Sequence, residues 1–180
     1  MTATRLTSRA VIRLSPIEEG EDLRAFLQGD YASLHNVHRW ALDFLEGKPI
    51  EVFNNGHHKR DFTYVDDIVE GVVRVLDRPA EADPNFDANA PDPARSSAPY
   101  RVFNIGNSNP VDLMTYIETL EAALGRKAQK NMLPMQDGDV PATSADTAEL
   151  AAATGFAPAT SVQDGISRFV AWYRDYYEVS

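Results

Sequence analysis

Four consecutive residues that can carry positive charge, His57-His58-Lys59-Arg60, stand in a chain whose 27 acidic residues outnumber its 17 lysines and arginines. Adjacent side chains do not converge readily on one metal ion. The chemistry that suits the run is anion binding, because arginine presents a planar fork that matches two phosphate oxygens. A solvated hairpin tip would use the same residues, and spacing alone does not separate the two. Other candidates read in the same two-sided way. Asp66 and Asp67 could be a carboxylate dyad, although capping a helix explains them more simply. Asp137 and Asp139 flank Gly138, as in a cation loop or a hydroxyl acceptor, or merely as turn chemistry. His35 and His38 have the i, i+3 spacing of a shared metal, yet no carboxylate supports them and they read as surface histidines.

Composition removes several alternatives. The formal net charge of −10 opposes binding to nucleic acid or to an anionic membrane, so any anionic ligand must be met by a local basic cluster. The chain has no cysteine, which excludes disulfides, thiolate catalysis and zinc–thiolate sites. No apolar run approaches the roughly 20 residues needed to span a bilayer. The first fifteen residues lack the apolar core of a secretory signal, so a cytoplasmic protein is expected. Ten glycines are scattered without the glycine-rich strand-to-helix turn of a dinucleotide fold. No tyrosine has a lysine four positions later.

The elements that must position these residues follow from period and punctuation. Val37, Trp40, Ala41, Phe44 and Leu45 recur at helical spacing, stopped by Gly47 and Pro49. Ile50 to Phe53 reads as a short strand closed by Asn54-Asn55-Gly56, and the residues around Phe62 and Tyr64 alternate like a second. Asp66 or Asp67 then caps a helix bearing Ile68, Val69, Val72, Val73 and Leu76. The proline-rich stretch 79–99 is an exposed loop, long enough to be mobile or functional. Arg101 to Gly106 reads as an apolar strand. A helix with Leu113, Ile117, Leu120 and Leu124 on one face ends at Gly125, and Lys130 to Met135 forms a further strand. Two helices close the chain, from about Thr147 to Gly155 and from Ser161 to Tyr177. Strands alternating with helices indicate an α/β fold. Residues 1–32 show no sustained period and are set apart from a domain at 33–180.

Four segments carry a resemblance: "LEGKPIEVFNNGHHKRDFTYVDDIVEGVVRVLD", "SSAPYRVFNIGNSNPVDLMTYIETLEAALG", "LPMQDGDVPAT" and "TGFAPATSVQDGISRFVAWYRDYY". In this order they resemble nucleotide-sugar epimerases of the extended short-chain dehydrogenase type, and within them UDP-glucuronate 4-epimerases. The resemblance covers about Leu45 to Tyr177. It implies the C-terminal, substrate-binding part of that fold, without the Rossmann glycine motif. It also implies a whole enzyme that uses NAD to convert UDP-glucuronate to UDP-galacturonate by oxidation at C4, rotation of the keto intermediate and return of the hydride. On this likeness Phe53 lies against uracil, Arg60 reaches the diphosphate and Asp139 accepts from ribose hydroxyls. Gln136 stands where some relatives carry a second phosphate-binding arginine. Ser144 replaces a tyrosine usual after Pro141-Ala142-Thr143.

No catalytic, cofactor-binding or metal residue is assigned, and NAD is expected from the family rather than from a site in these residues. The implied partners are a UDP-sugar, an N-terminal Rossmann part or a complementing chain, and a second copy of the chain; nucleic acid and membrane are not among them. A non-catalytic UDP-sugar-binding module, or a related NAD-dependent dehydratase or decarboxylase, would share the same segments. Since the family packs this part against its larger domain, an exposed apolar face is expected.

Overall fold

The computed structural model describes residues 36–179, without the side chains of 36–39 and of residue 42. The segment set apart at 1–32 and the His35–His38 pair therefore lie outside the described residues or side chains. The fold below is that of the unit Trp40–Ser180, distinct from Met1–Arg39.

Helix α1 (Asn36–Glu46) buries Trp40, Ala41 and Phe44 and ends at Gly47, whose φ of +71° favours a residue without a Cβ. Strand β1 (Ile50–Val52) follows, with Ile50 and Val52 inward and Glu51 outward. It pairs in parallel with β4 (Lys130–Met132), Ile50 opposite Lys130 and Val52 opposite Met132. A second ladder joins β2 (Lys59–Arg60) antiparallel to β3 (Val111–Asp112). Around these small ladders lie α2 (Val65–Leu76), α3 (Leu113–Leu124), α4 (Ala148–Thr154) and α5 (Val162–Tyr177). Helix α3 packs on α5, and Tyr116, Ile117, Leu120 and Leu124 join Ile166, Val170 and Tyr173 in the core. The stop at Gly125 is left-handed, with φ of +70°, and the Ser161 hydroxyl caps α5 by accepting from the Asp164 N–H.

Four expectations are corrected. Phe53 opens a 3-10 turn (Phe53–Gly56) instead of ending the strand, and residues 61–64 are not a strand. Of Arg101–Gly106, only Arg101 makes a bridge, to Arg95. That run has strand composition, but a strand exists only where a partner supplies the ladder, and beyond the Val102 N–H bond to the Ala94 carbonyl no ladder forms along it among the described residues. Finally, no side chain caps α2, whose N-cap residue is Tyr64. Asp67 instead accepts from the N–H groups of Ala159 and Thr160 and from the Thr160 hydroxyl, tying the start of α2 to the loop before α5.

The expected apolar face lies on α2. Val65, Val69, Val72, Val73 and Leu76 recur along the helix with Val65 60% and Leu76 72% exposed, the mark of an interaction surface.

Candidate functional site

The site is built where the chain leaves β1. Asn54, Asn55 and Gly56 have φ of +51°, +48° and +79°, three left-handed residues in a row. Asparagine tolerates that region better than most residues, and glycine is required at Gly56, where a Cβ would come within 2.6 Å of Met114 Sδ. The Asn55 N–H donates to the Leu133 carbonyl at 2.9 Å, so the turn is fixed to the segment leaving β4. The chain then enters β2, held by β3 on one side. On the other, Lys59 N–H donates to the Pro141 carbonyl and Thr143 N–H to the Lys59 carbonyl.

Arg60 projects from β2 onto the loop 136–140. Its Nη1 donates to the carbonyls of Lys59 (3.0 Å) and Val140 (2.9 Å), and its Nη2 to Asp139 Oδ1 (2.9 Å). That uses three of the five guanidinium protons. One on Nη2 and the one on Nε have no acceptor among the described residues. Arg60 and Asp139 side chains are 26% and 28% exposed, so the pair is fixed by the protein and still reachable by solvent. The loop closes on itself, with Asp139 N–H donating to the Gln136 carbonyl at 3.2 Å across Gly138, whose φ is +82°.

Behind the pair sits His58, 3% exposed, with Nε2 3.2 Å from Asp139 Oδ2 but making no aligned hydrogen bond. Burial, with the nearby Arg60 guanidinium, holds its pKa below the ordinary histidine value, against the opposing pull of Asp139.

Asp61 fixes the whole arrangement. Its Oδ2 accepts from the N–H groups of Ala145 (2.9 Å) and Ser108 (3.1 Å), and Oδ1 from that of Asn109 (3.4 Å). Gly106 leaves room for this: a Cβ there would collide with that of Ala145. Phe62 stacks on Tyr116, centroids 4.0 Å apart, and Tyr64 packs against Gly165 beneath the Arg168 guanidinium. Burial pushes the Tyr116 hydroxyl up, so it stays protonated as a packing group.

Of the residues singled out in the sequence, Arg60 and Asp139 are in contact, and Gln136 begins the same turn with its side chain exposed. Phe53 is partly exposed and opens the left-handed turn at the far end from β2; the structure records no contact between it and Arg60. Asp137 is exposed, and no group of three potential metal ligands occurs among the described residues. The sequence places His58 in the basic run with His57, Lys59 and Arg60, and the structure separates it as the buried member. Alternation along the segment (His57 out, His58 in, Lys59 out) was the available signal.

The parallel β1–β4 ladder and the flanking helices match the C-terminal part of an extended short-chain dehydrogenase fold. The model of the NAD dependent epimerase/dehydratase family matches residues 24–106 of this chain. It is 57% identical over 135 residues to an Escherichia coli O111:H- protein described as "Uncharacterized 37.6 kDa protein in cld 5'region", covering 75% of this chain and 40% of that one. With the "Probable UDP-glucuronate 4-epimerase" of Rhizobium meliloti it shares 48% identity over 132 residues, 73% of this chain and 39% of the other. The solved UDP-glucuronic acid 4-epimerase of Bacillus cereus, in complex with UDP-glucuronic acid and NAD, superposes with a TM-score of 0.61 at 27% identity, over 78% of this chain and 40% of that one. The chain thus spans about two fifths of the length of the curated relatives it matches.

Proposed function

We propose that residues 33–180 are the nucleotide-sugar-binding part of a UDP-glucuronate 4-epimerase, the whole enzyme interconverting UDP-glucuronate and UDP-galacturonate. The observation that carries this is the Arg60 guanidinium, locked by Asp139 and two carbonyls, with two N–H groups still to give. A diphosphate takes those protons in charge-assisted bonds. Asp139 keeps Oδ2 for ribose hydroxyls, Phe53 offers its ring to uracil, and the exposed Gln136 amide donates to phosphate in place of an arginine. Asp61 orients the segment that presents Arg60.

Arg60→Ala is expected to weaken UDP binding by about ten- to a hundredfold, since each hydrogen bond to a charged partner contributes roughly 1.5–3 kcal/mol. Arg60→Lys recovers only part of this, because an ammonium keeps the charge and loses the fork. Calorimetric titration measures both, and unchanged affinity in Arg60→Ala would remove the diphosphate from this site.

NAD does not fit the residues present: the sequence has neither a glycine-rich strand-to-helix turn nor a tyrosine with a lysine four positions on. No hydride step is therefore assigned to them, and the family's Rossmann part is the partner that supplies the cofactor site. The 180-residue chain is expected to bind UDP-sugars without turning them over, with or without added NAD. Chromatographic detection of UDP-galacturonate formed by the pure chain would refute this.

A further inference from the structure

We propose that His58 is a positioning residue for the nucleotide site: wedged behind the Arg60–Asp139 pair, it sets how firmly Asp139 is held and makes anion binding tighten as the pH falls. This rests on the reading of Arg60 and Asp139 as nucleoside-diphosphate ligands.

The Asp139 carboxylate divides its oxygens. Oδ1 accepts from Arg60 Nη2 and, at 2.7 Å, from the Val140 N–H. Oδ2 faces His58 Nε2 at 3.2 Å. Nε2 is buried and has no other partner, an arrangement that costs free energy while the ring is neutral. A proton on Nε2 turns it into an attraction to the carboxylate and adds one positive charge behind Arg60.

The neighbouring charges set the sign. From the loop 136–140 His58 faces Asp139, and from its own strand Arg60. Lys59 turns away to Asp112 of β3, 3.6 Å distant, and α3 contributes only the Leu113 N–H, bonded to the His58 carbonyl. His58 therefore sees one positive and one negative group, and stays neutral because burial opposes its charge. A bound diphosphate ester adds two negative charges on the far side of Arg60 and makes the imidazolium easier to form. By linkage, binding then takes up a proton. Affinity rises as the pH falls through the interval between the His58 pKa of the free protein and the higher one of the complex.

UDP-glucose is the probe, because both its phosphates are diesters, whereas the terminal phosphate of UDP would itself titrate near about pH 6. Its dissociation constant, read by ligand-observed NMR with the 180-residue chain, is expected to fall by about threefold to tenfold between pH 8 and pH 5.5. The His58 ring resonances should titrate at higher pH with UDP-glucose bound than without. His58→Gln and the apolar, similarly sized His58→Met should lose the pH dependence, while the exposed His57→Gln retains it. An equal pH slope in wild type and both His58 variants, or a His58 titration that ligand does not move, overturns the proposal and leaves the nucleotide reading standing. No binding at any pH overturns that reading, and this inference with it.

Discussion

Asp61→Ala is expected to lower the free energy of unfolding by about 1–3 kcal/mol and to abolish measurable UDP binding, the largest single loss at this site. One carboxylate here accepts from backbone N–H groups at Ala145, Ser108 and Asn109, drawn from two segments distant in sequence. Truncation leaves the part-buried Ala145 donor without its acceptor, at a cost of roughly 1–3 kcal/mol, while the exposed Ser108 and Asn109 donors turn to water and lose less. Asp61→Asn is a sharper probe: the shape is kept, but an NH₂ must face a donor at one position, so an intermediate loss is expected. Urea unfolding followed by circular dichroism reads the stability term. Arg60→Ala, by contrast, should lose affinity with a much smaller change in the urea midpoint. If Asp61→Ala unfolds at the wild-type midpoint, Asp61 does not hold these loops together.

The second large effect is a loss of stability in acid that Glu121 controls. This α3 carboxylate is 1% exposed. Burial alone would raise its pKa, but Lys127 Nζ at 2.7 Å, Lys130 Nζ and the Ala128 N–H at 3.0 Å together outweigh burial and hold it at about 2. Its folded value therefore lies below its unfolded one. The stabilisation is fully present above about pH 4.5 and is lost as the pH falls from there toward about 2. A depression of this size corresponds to about 3 kcal/mol at most, and to about 2 once the solvent screening of Lys127, 84% exposed, is allowed for. Glu121→Gln should destabilise the protein by about 2 kcal/mol at pH 7 and should flatten the acid limb of stability against pH. Urea midpoints at pH 7, 4.5 and 3 for both proteins test this. An acid limb as steep in Glu121→Gln as in wild type would assign the effect to other carboxylates.

Local signals in the sequence identified the helices and little of the sheet. The Leu113, Ile117, Leu120 and Leu124 spacing and the Gly125 stop are properties of neighbouring residues, and each appears where the sequence puts it. Pairing of β1 with β4 depends on residues 80 positions away, as Ile50 opposite Lys130 shows, so composition could not reveal which apolar runs find partners. Val102 to Ile105 has the same character as Ile50 to Val52 and finds none among the described residues. The acidic pair in the first turn of α2 misled because capping a helix is the commonest use for such residues, whereas Asp67 reaches across to Thr160. At the site, residue types and spacing stopped at a basic turn in an acidic protein. Arg60 and Asp139 were joined by resemblance, and their contact at 2.9 Å is the geometry that residue types could not supply.

The long spans of these contacts govern how the chain acquires its binding surface during synthesis. Arg60 is separated from Asp139 by 79 positions and Asp61 from Ala145 by 84. Each such closure costs loop entropy before any contact repays it, which makes these the late steps of folding. Until Leu133 and Asp139 have been made, the turn at Asn54 and the Arg60 guanidinium lack the contacts that fix them. Termination between residues 60 and 139 leaves Arg60 without the Asp139 carboxylate that fixes it, so the proposed anion site has no fixed arginine until more than three quarters of the chain has been made.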